Sequence, residues 1–274
     1  MKITKALTIA GSDSGGGAGI QADLKTFQEL GVYGMSALTA VTAQNTLGVQ
    51  GVYPLSEEAV AKQLSSIGDD LKPDALKTGM LFSGEIIRCV AQKIQAYGWS
   101  NLVIDPVMVA KGGSKLLQLD AVQSLITYLL PLSLVTTPNI PEAEILTGLP
   151  ISSLQDREEA ARRISAMGSR YVVIKGGHDS SGDEVVDILF DGQNFLYLES
   201  PRVETLHTHG TGCTFSAALT AELAMGKTVP EAVHTAKAFI QAAIEDGLGI
   251  GAGHGPTNHF AYQKRLRGEF YSTY

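Results

Sequence analysis

The 274-residue chain has only two cysteines, one tryptophan and fewer basic than acidic residues. Cys89 and Cys213 stand far apart in unlike surroundings. That excludes a disulfide framework and points to a reducing compartment. Lys and Arg number 21 against 28 Asp and Glu, for a net charge of −7. A broad nucleic-acid surface is thereby excluded, and an anionic ligand would need local basic residues. Long apolar runs are also missing. The stretch Ala6–Ala10 is cut off by Ser12 and Asp13, too short for a signal-peptide core, and no segment is long enough to span a membrane. The chain reads as cytoplasmic, with no membrane partner. No repeat, low-complexity segment or linker appears, so residues 1–274 read as a single domain.

Short β-rich runs alternate with helical patterns. Strands are expected at Ala6–Ala10, Met35–Thr42, Ala75–Thr78, Leu102–Ile104, Leu134–Thr137, Tyr171–Ile174, Asp187–Phe190 and Phe195–Leu198. Helices are expected at Gln21–Leu30, Ser56–Asp70, Gly84–Tyr97, Leu119–Leu130, Ile140–Thr147, Gln155–Met167, Thr214–Met225 and Val229–Ile244. Ser56 followed by Glu57 and Glu58 is an N-cap pattern. Asp183 to Leu198 reads as a hairpin turning at Asp191-Gly192. The alternation implies an α/β fold, a mainly parallel central sheet with helices on both faces. Ligands of such sheets bind beyond the carboxyl ends of the strands. Glycine-rich breaks fall there: Gly11–Gly19, Lys111–Ser114, Gly176–Gly182 and Gly247–Gly255.

The most informative stretch is His209-Gly210-Thr211-Gly212-Cys213-Thr214, followed by an uncharged run from Phe215 to Ala221. Glycines turn the backbone tightly into a helix whose first N–H groups and positive dipole end converge on one point, suited to an anion such as phosphate. The thiol of Cys213 sits at that point. The bland alternative is a turn before a core helix, with Cys213 as a small buried residue. The Gly11–Gly19 loop matches neither the G-x-G-x-x-G nor the P-loop spacing, yet it permits close backbone approach. Asp23 follows it, early in the next helix. Gln44 ends a strand with both a donor and an acceptor, which suits a heterocycle edge. Asp105 and Glu142 stand at strand tips, where an acidic pair can hold hydrated Mg²⁺. Asn139 and Glu142 also carry a capping-box spacing, so both readings stay open. Lys175 at a strand tip beside glycines is a candidate phosphate contact. His207, His209 and Cys213 match no standard zinc spacing, and no metal site is assigned to them.

The ordered set Ala10-Gly11-Ser12-Asp13-Ser14-Gly15-Gly16-Gly17-Ala18-Gly19-Ile20-Gln21-Ala22-Asp23, Thr42-Ala43-Gln44-Asn45-Thr46, Lys77-Thr78-Gly79-Met80, Asp105-Pro106-Val107-Met108, Thr137-Pro138-Asn139-Ile140-Pro141-Glu142 and His209-Gly210-Thr211-Gly212-Cys213 resembles the ribokinase-like superfamily. Within it, the set resembles the hydroxymethylpyrimidine/phosphomethylpyrimidine kinases of thiamine biosynthesis. The resemblance covers nearly the whole chain. It implies a three-layer ribokinase-like fold and ATP-dependent phosphorylation of 4-amino-5-hydroxymethyl-2-methylpyrimidine and of its monophosphate. It also implies that Gly210, Thr211, Gly212 and Cys213 form the catalytic anion hole. Cys213 would stand where most of the superfamily has an aspartate, as base or as orienter of the alcohol. Gln44, Asp23, Gly11, Met80 and Val107 would contact the aminopyrimidine alcohol. Asn139, Asp105, Lys175 and Lys237 would serve ATP and its phosphates, and Glu142 would hold Mg²⁺. Lys111-Gly112-Gly113 would belong to a lid, and the assembly would be a homodimer. Pyridoxal or pyridoxine kinase is the alternative. Those relatives often carry a lid cysteine, where this chain has Val109-Ala110-Lys111, and tend to lose the pattern kept at Gln44-Asn45.

Overall fold

The first strand, Lys5–Asp13 (β1), is buried from Ala6 to Ala10 with no alternation and is apolar there except for Thr8, the pattern of a strand covered on both faces. In the computed structural model, which describes residues 3–108, 119–179 and 182–269, β1 lies inside a nine-stranded sheet. After it come α1 (Gly19–Glu29), β2 (Tyr33–Asn45), β3 (Gly48–Pro54), α2 (Glu57–Asp70), β4 (Ala75–Thr78), α3 (Gly84–Tyr97) and β5 (Leu102–Ile104). The chain continues through α4 (Leu119–Ser124), β6 (Val135–Thr136), α5 (Ile140–Thr147), α6 (Leu154–Ala166), β7 (Tyr171–Ile174), β8 (Glu184–Phe190) and β9 (Phe195–Pro201). It closes with α7 (Thr211–Ala224), α8 (Val229–Glu245) and α9 (Ala261–Leu266).

The sheet order is β3-β2-β1-β4-β5-β6-β7-β8-β9. The strands from β2 to β7 in that order run parallel, and β3, β8 and β9 are antiparallel at the flanks. One face packs Leu7, Ile9, Leu76, Ile104 and Ile174 against α2 to α6 through Leu64, Ile87, Ile94, Ala143 and Ile164. The other face packs Val103, Val135 and Val173 against Phe215, Leu219, Val233 and Phe239 of α7 and α8. Phe27 of α1 joins Ala217 and Ala221 of α7 on that side. This is the three-layer α/β arrangement that the alternation implies.

Local signals agree with the element ends. Ser56 Oγ accepts from Ala59 N, and Ser83 Oγ accepts from Ile86 N. Gly98 closes α3 at φ 64°, a conformation open to glycine. The hairpin forms as expected, with Phe190 opposite Phe195 and Asp191 Oδ1 accepting from Gln193 N and Asn194 N. Three features depart from the sequence reading. The strand expected at Met35–Thr42 extends to Tyr33–Asn45 and pairs with the unforeseen β3. The helix expected over Leu119–Leu130 is α-helical only to Ser124, then widens to a π turn over Leu125–Leu129 and tightens to a 3₁₀ turn over Leu130–Leu132. Pro131, which has no N–H to continue an α-helical ladder, lies in that tightened turn. The short α9 was also unforeseen. The lid segment Lys111-Gly112-Gly113 lies outside the described residues.

Candidate active site

A cleft of about 470 Å³ opens at the carboxyl ends of the parallel strands. Three loops build its walls. From β1 come Gly11, Ser12 and Asp13; from β5, Asp105 and Val107; and from the start of α7, Gly210, Thr211, Gly212 and Cys213. Gln44, Met80, Asn139, Glu142 and Lys175 also line it, with Thr42 and His209 among others. Of the residues named above as site candidates, the cleft gathers all but Asp23 and Lys237.

The α7 turn is made possible by Gly210, at φ 84°. A β-carbon there would stand 1.8 Å from the Gly17 carbonyl oxygen, so no larger residue fits. Gly17 in turn faces the His209 ring, with a virtual β-carbon 2.6 Å from Cδ2. The β1 loop and the α7 turn therefore press backbone to backbone. Thr214 to Leu223 of α7 are buried, as the uncharged run leads one to expect.

The glycine loop lines the cleft with Asp13, Ala18 and Gly19. It wraps its own anion. Asp13 Oδ1 accepts from Gly15 N at 2.8 Å, and Oδ2 accepts from Gly17 N at 3.0 Å and Ala18 N at 2.9 Å. His209 Nε2 reaches the same Oδ2 at 2.8 Å. Burial alone would raise the Asp13 carboxyl, but the His209 hydrogen bond and the loop N–H groups outweigh it and hold the carboxyl below the usual aspartate range. The sequence reading gives Asp13 no role of its own and weighs His209 only as a metal ligand. The spacing of three small N–H donors after Asp13 was the available signal.

Asp23 lies outside the cleft lining. It is fully buried, pairs with Lys77 Nζ at 2.8 Å and accepts from Thr8 Oγ1 at 2.6 Å. It lies off the lining because β1 and β4 cover it. Burial would lower the Lys77 ammonium, yet the carboxylates around it, Asp23 first and Asp105 after it, outweigh burial and hold it above the usual lysine range. Lys237 also lies outside the lining. Its ammonium donates to Asp187 Oδ2 at 2.7 Å and Val185 O at 3.2 Å. Asp187 Oδ1 also accepts from Gly176 N at 2.6 Å. Lys237 thus braces the turn that follows Lys175 from behind.

Two carboxylates and one lysine occupy the β5–α5 wall. Lys175 Nζ donates to Asp105 Oδ1 at 2.9 Å. Burial would lower Lys175, but Asp105 and then Glu142 hold it above the usual range. Glu142 closes a capping box: its Oε2 accepts from Asn139 N, and Asn139 Oδ1 accepts from Glu142 N, each at 2.9 Å. Burial pushes the Glu142 carboxyl up to about 7, opposed by Lys175 and reinforced by the Asp105 charge. A buried carboxyl raised that far beside a second carboxylate, with one ammonium between them, is short of positive charge. A divalent cation fits that set, since Mg²⁺ takes one or two carboxylates and keeps several waters.

Cys213 is part-buried at the first turn of α7, and the Gly19 N–H lies within hydrogen-bonding reach of it. A helix N-terminus by itself lowers the pKa of a nearby thiol. The structure reverses the direction: burial pushes the thiol up to about 12, against the nearby Lys77 ammonium and with Asp23 and Asp105 adding to the rise. The resting thiol is therefore neutral. Gly11 leaves room for Met80, whose Cε would stand 2.3 Å from a β-carbon at position 11. Gln44 reaches His209 Nε2 at 3.3 Å and Thr42 Oγ1 at 3.2 Å with the two ends of its carboxamide.

The profile of the phosphomethylpyrimidine kinase family matches residues 13–258. The chain is 56% identical to the hydroxymethylpyrimidine/phosphomethylpyrimidine kinase of Bacillus subtilis (strain 168), over 96% of this chain and 97% of that one. Its fold is similar to that of a Bacillus subtilis pyridoxal kinase solved with ADP, with a TM-score of 0.89 and 46% identity over 97% of this chain and all of that one. It is also similar to a phosphomethylpyrimidine kinase from Clostridium difficile 630, with a TM-score of 0.79 and 44% identity over 89% of this chain and all of that one. The family match thus begins at the Asp13 that the glycine loop encloses and runs past the α7 turn pressed against that loop, and on this footing the chain belongs to the phosphomethylpyrimidine kinase family.

Proposed function

We propose that this chain phosphorylates 4-amino-5-hydroxymethyl-2-methylpyrimidine, and then its monophosphate, with ATP as donor. The observation that carries the reading is one cleft with two chemistries. Gln44, Met80 and Val107 offer an amide and two apolar groups to a small heterocycle. The same cleft holds the α7 N-terminus and the Asp105–Lys175–Glu142 group, suited to phosphates. The helix start would stabilise charge on the transferring phosphoryl group, in a reaction that depends mostly on positioning and electrostatics. Asp105 and Glu142 would hold Mg²⁺, with Asn139 nearby; the ion would supply charge neutralisation at the phosphates. Lys175 would add a positive charge. A neutral Cys213 thiol supports a role in orienting the alcohol rather than in standing as a preformed thiolate.

In this reading residues 1–274 act as one domain in a cytoplasmic homodimer. Among the described residues no helix is long and apolar enough to cross a membrane. The pyridoxal kinase reading is kept because the chain is so similar to the Bacillus subtilis pyridoxal kinase. One assay separates the two: ATP consumption with the pyrimidine, its monophosphate and pyridoxal, side by side. Turnover of the two pyrimidines above that of pyridoxal is expected. Turnover of pyridoxal alone would overturn the main reading.

A further inference from the structure

The carboxamide of Gln44 has two orientations that differ by a half-turn, and donor counting decides between them. Asp13 Oδ2 can only accept, so His209 Nε2, at 2.8 Å, carries its proton toward it. That nitrogen is then a donor and cannot accept from a Gln44 NH₂ group 3.3 Å away. Thr42 Oγ1 has a single proton. It lies 2.9 Å from the Ser12 carbonyl oxygen, which can only accept, and 3.2 Å from the other end of the carboxamide. The hydroxyl must therefore receive from Gln44. Both counts select the same orientation, with the amide oxygen against His209 and the NH₂ group against Thr42. His209 is itself immobilised. Its N–H donates to Gly255 O at 3.1 Å, and its carbonyl accepts from Thr257 N at 3.3 Å.

We propose that His209, held by Asp13, is a positioning residue that fixes the orientation of the Gln44 carboxamide and so selects heterocycles carrying an amino group beside a ring nitrogen. This rests on the pyrimidine kinase reading above. In the fixed orientation the amide oxygen keeps a lone pair for an amino donor. The amide nitrogen keeps a second N–H for the adjacent ring nitrogen. A 4-oxo analogue of the same pyrimidine presents the opposite pattern, a carbonyl acceptor beside a ring N–H. The fixed amide meets it acceptor to acceptor and donor to donor, whereas an amide free to turn accommodates both.

The test compares steady-state turnover of the 4-amino and 4-oxo hydroxymethylpyrimidines by the wild-type protein, His209→Leu and His209→Gln. Wild type should favour the amino substrate strongly. His209→Leu should raise KM for the amino substrate at least tenfold, leave KM for ATP within about twofold, and shrink the amino-over-oxo ratio of kcat/KM at least tenfold. His209→Gln, whose side-chain NH₂ can take the Nε2 position, should recover most of the selectivity. An unchanged ratio in His209→Leu, or an equal loss for both substrates, would overturn the proposal. If His209→Leu does not fold, Thr42→Val removes the other partner of the amide and should shrink the same ratio at least threefold; an unchanged ratio there overturns it equally. Failure of wild type to use the amino substrate would refute the kinase reading itself, and this proposal with it.

Discussion

Lys77 and Asp23 meet at 2.8 Å with no solvent exposure on either side chain. The pair lies under the cleft floor, its members supplied by β4 and α1. Removing one member of such a pair leaves a buried charge without compensation, which costs about 3–5 kcal/mol. Lys77→Met should therefore lower unfolding free energy by about that amount. Lys77→Met combined with Asp23→Leu should recover much of the loss. Urea denaturation of the three variants checks this; equal stabilities for wild type and Lys77→Met would contradict it.

Cys213 offers a test of reactivity. A thiol pushed up to about 12 is only slightly ionised at neutral pH, and the thiolate is the nucleophile. Alkylation of Cys213 by iodoacetamide, followed by peptide mass spectrometry, should be slow at pH 7 and climb about tenfold per pH unit through pH 9. A plateau near pH 7 would mean a lowered pKa. Cys213→Ala should bind ATP normally but lose about a hundredfold or more in kcat. Near-normal kcat would leave the backbone of the α7 turn as the sole catalytic feature there.

Glu142 should show a stability cost opposite to that of an ordinary carboxylate. Its pKa rises from 4.5 to about 7 on folding, so between those values the folded state holds the extra proton and stability falls as pH rises. Glu142→Gln keeps an oxygen for the Asn139 N–H and removes the charge. Without divalent ions, its melting temperature should exceed that of wild type at pH 8 and converge with it near pH 5. Kinase activity should drop at the same time. A lower melting temperature at pH 8 would mean that Glu142 serves the fold chiefly as a cap.

His259 carries the reverse sign. It is buried, 3.0 Å from Thr214 Oγ1, and burial lowers its pKa from 6.5 to about 4, with Lys25 adding to the shift. The unfolded chain binds the proton first, so stability is full above pH 6.5 and declines as pH falls toward 4, by about 3 kcal/mol for this group. His259→Gln should flatten that part of the pH–stability curve. An unchanged slope would show that another group sets the acid limit.

Much of the scaffold was legible because its signals are local. The Ser56 cap, the Asn139–Glu142 box and the Asp191 turn each lie within a few residues. The strand β3 was not, because Gly48, Gly51 and Pro54 interrupt its pattern and its pairing with β2 supplies what its own sequence lacks. In the cleft, the residues named by motif were gathered correctly, but their partners were hidden. Lys77 and Asp23 are separated by 54 positions, and His209 and Asp13 by 196. A sequence names such residues without saying which of them neutralise one another.

The carboxylate inside the glycine loop also bears on inhibitor chemistry. A compound carrying a phosphonate or carboxylate aimed at this loop, on the strength of its many glycines, would have to evict Asp13 from three backbone donors and an imidazole. The anion receptor left for medicinal chemistry is beside that loop, at the first turn of α7. There the N–H groups have no acceptor within the helix itself. Ligands elaborated toward that turn would rest on a loop whose own carboxylate is already paired with three backbone N–H groups and an imidazole.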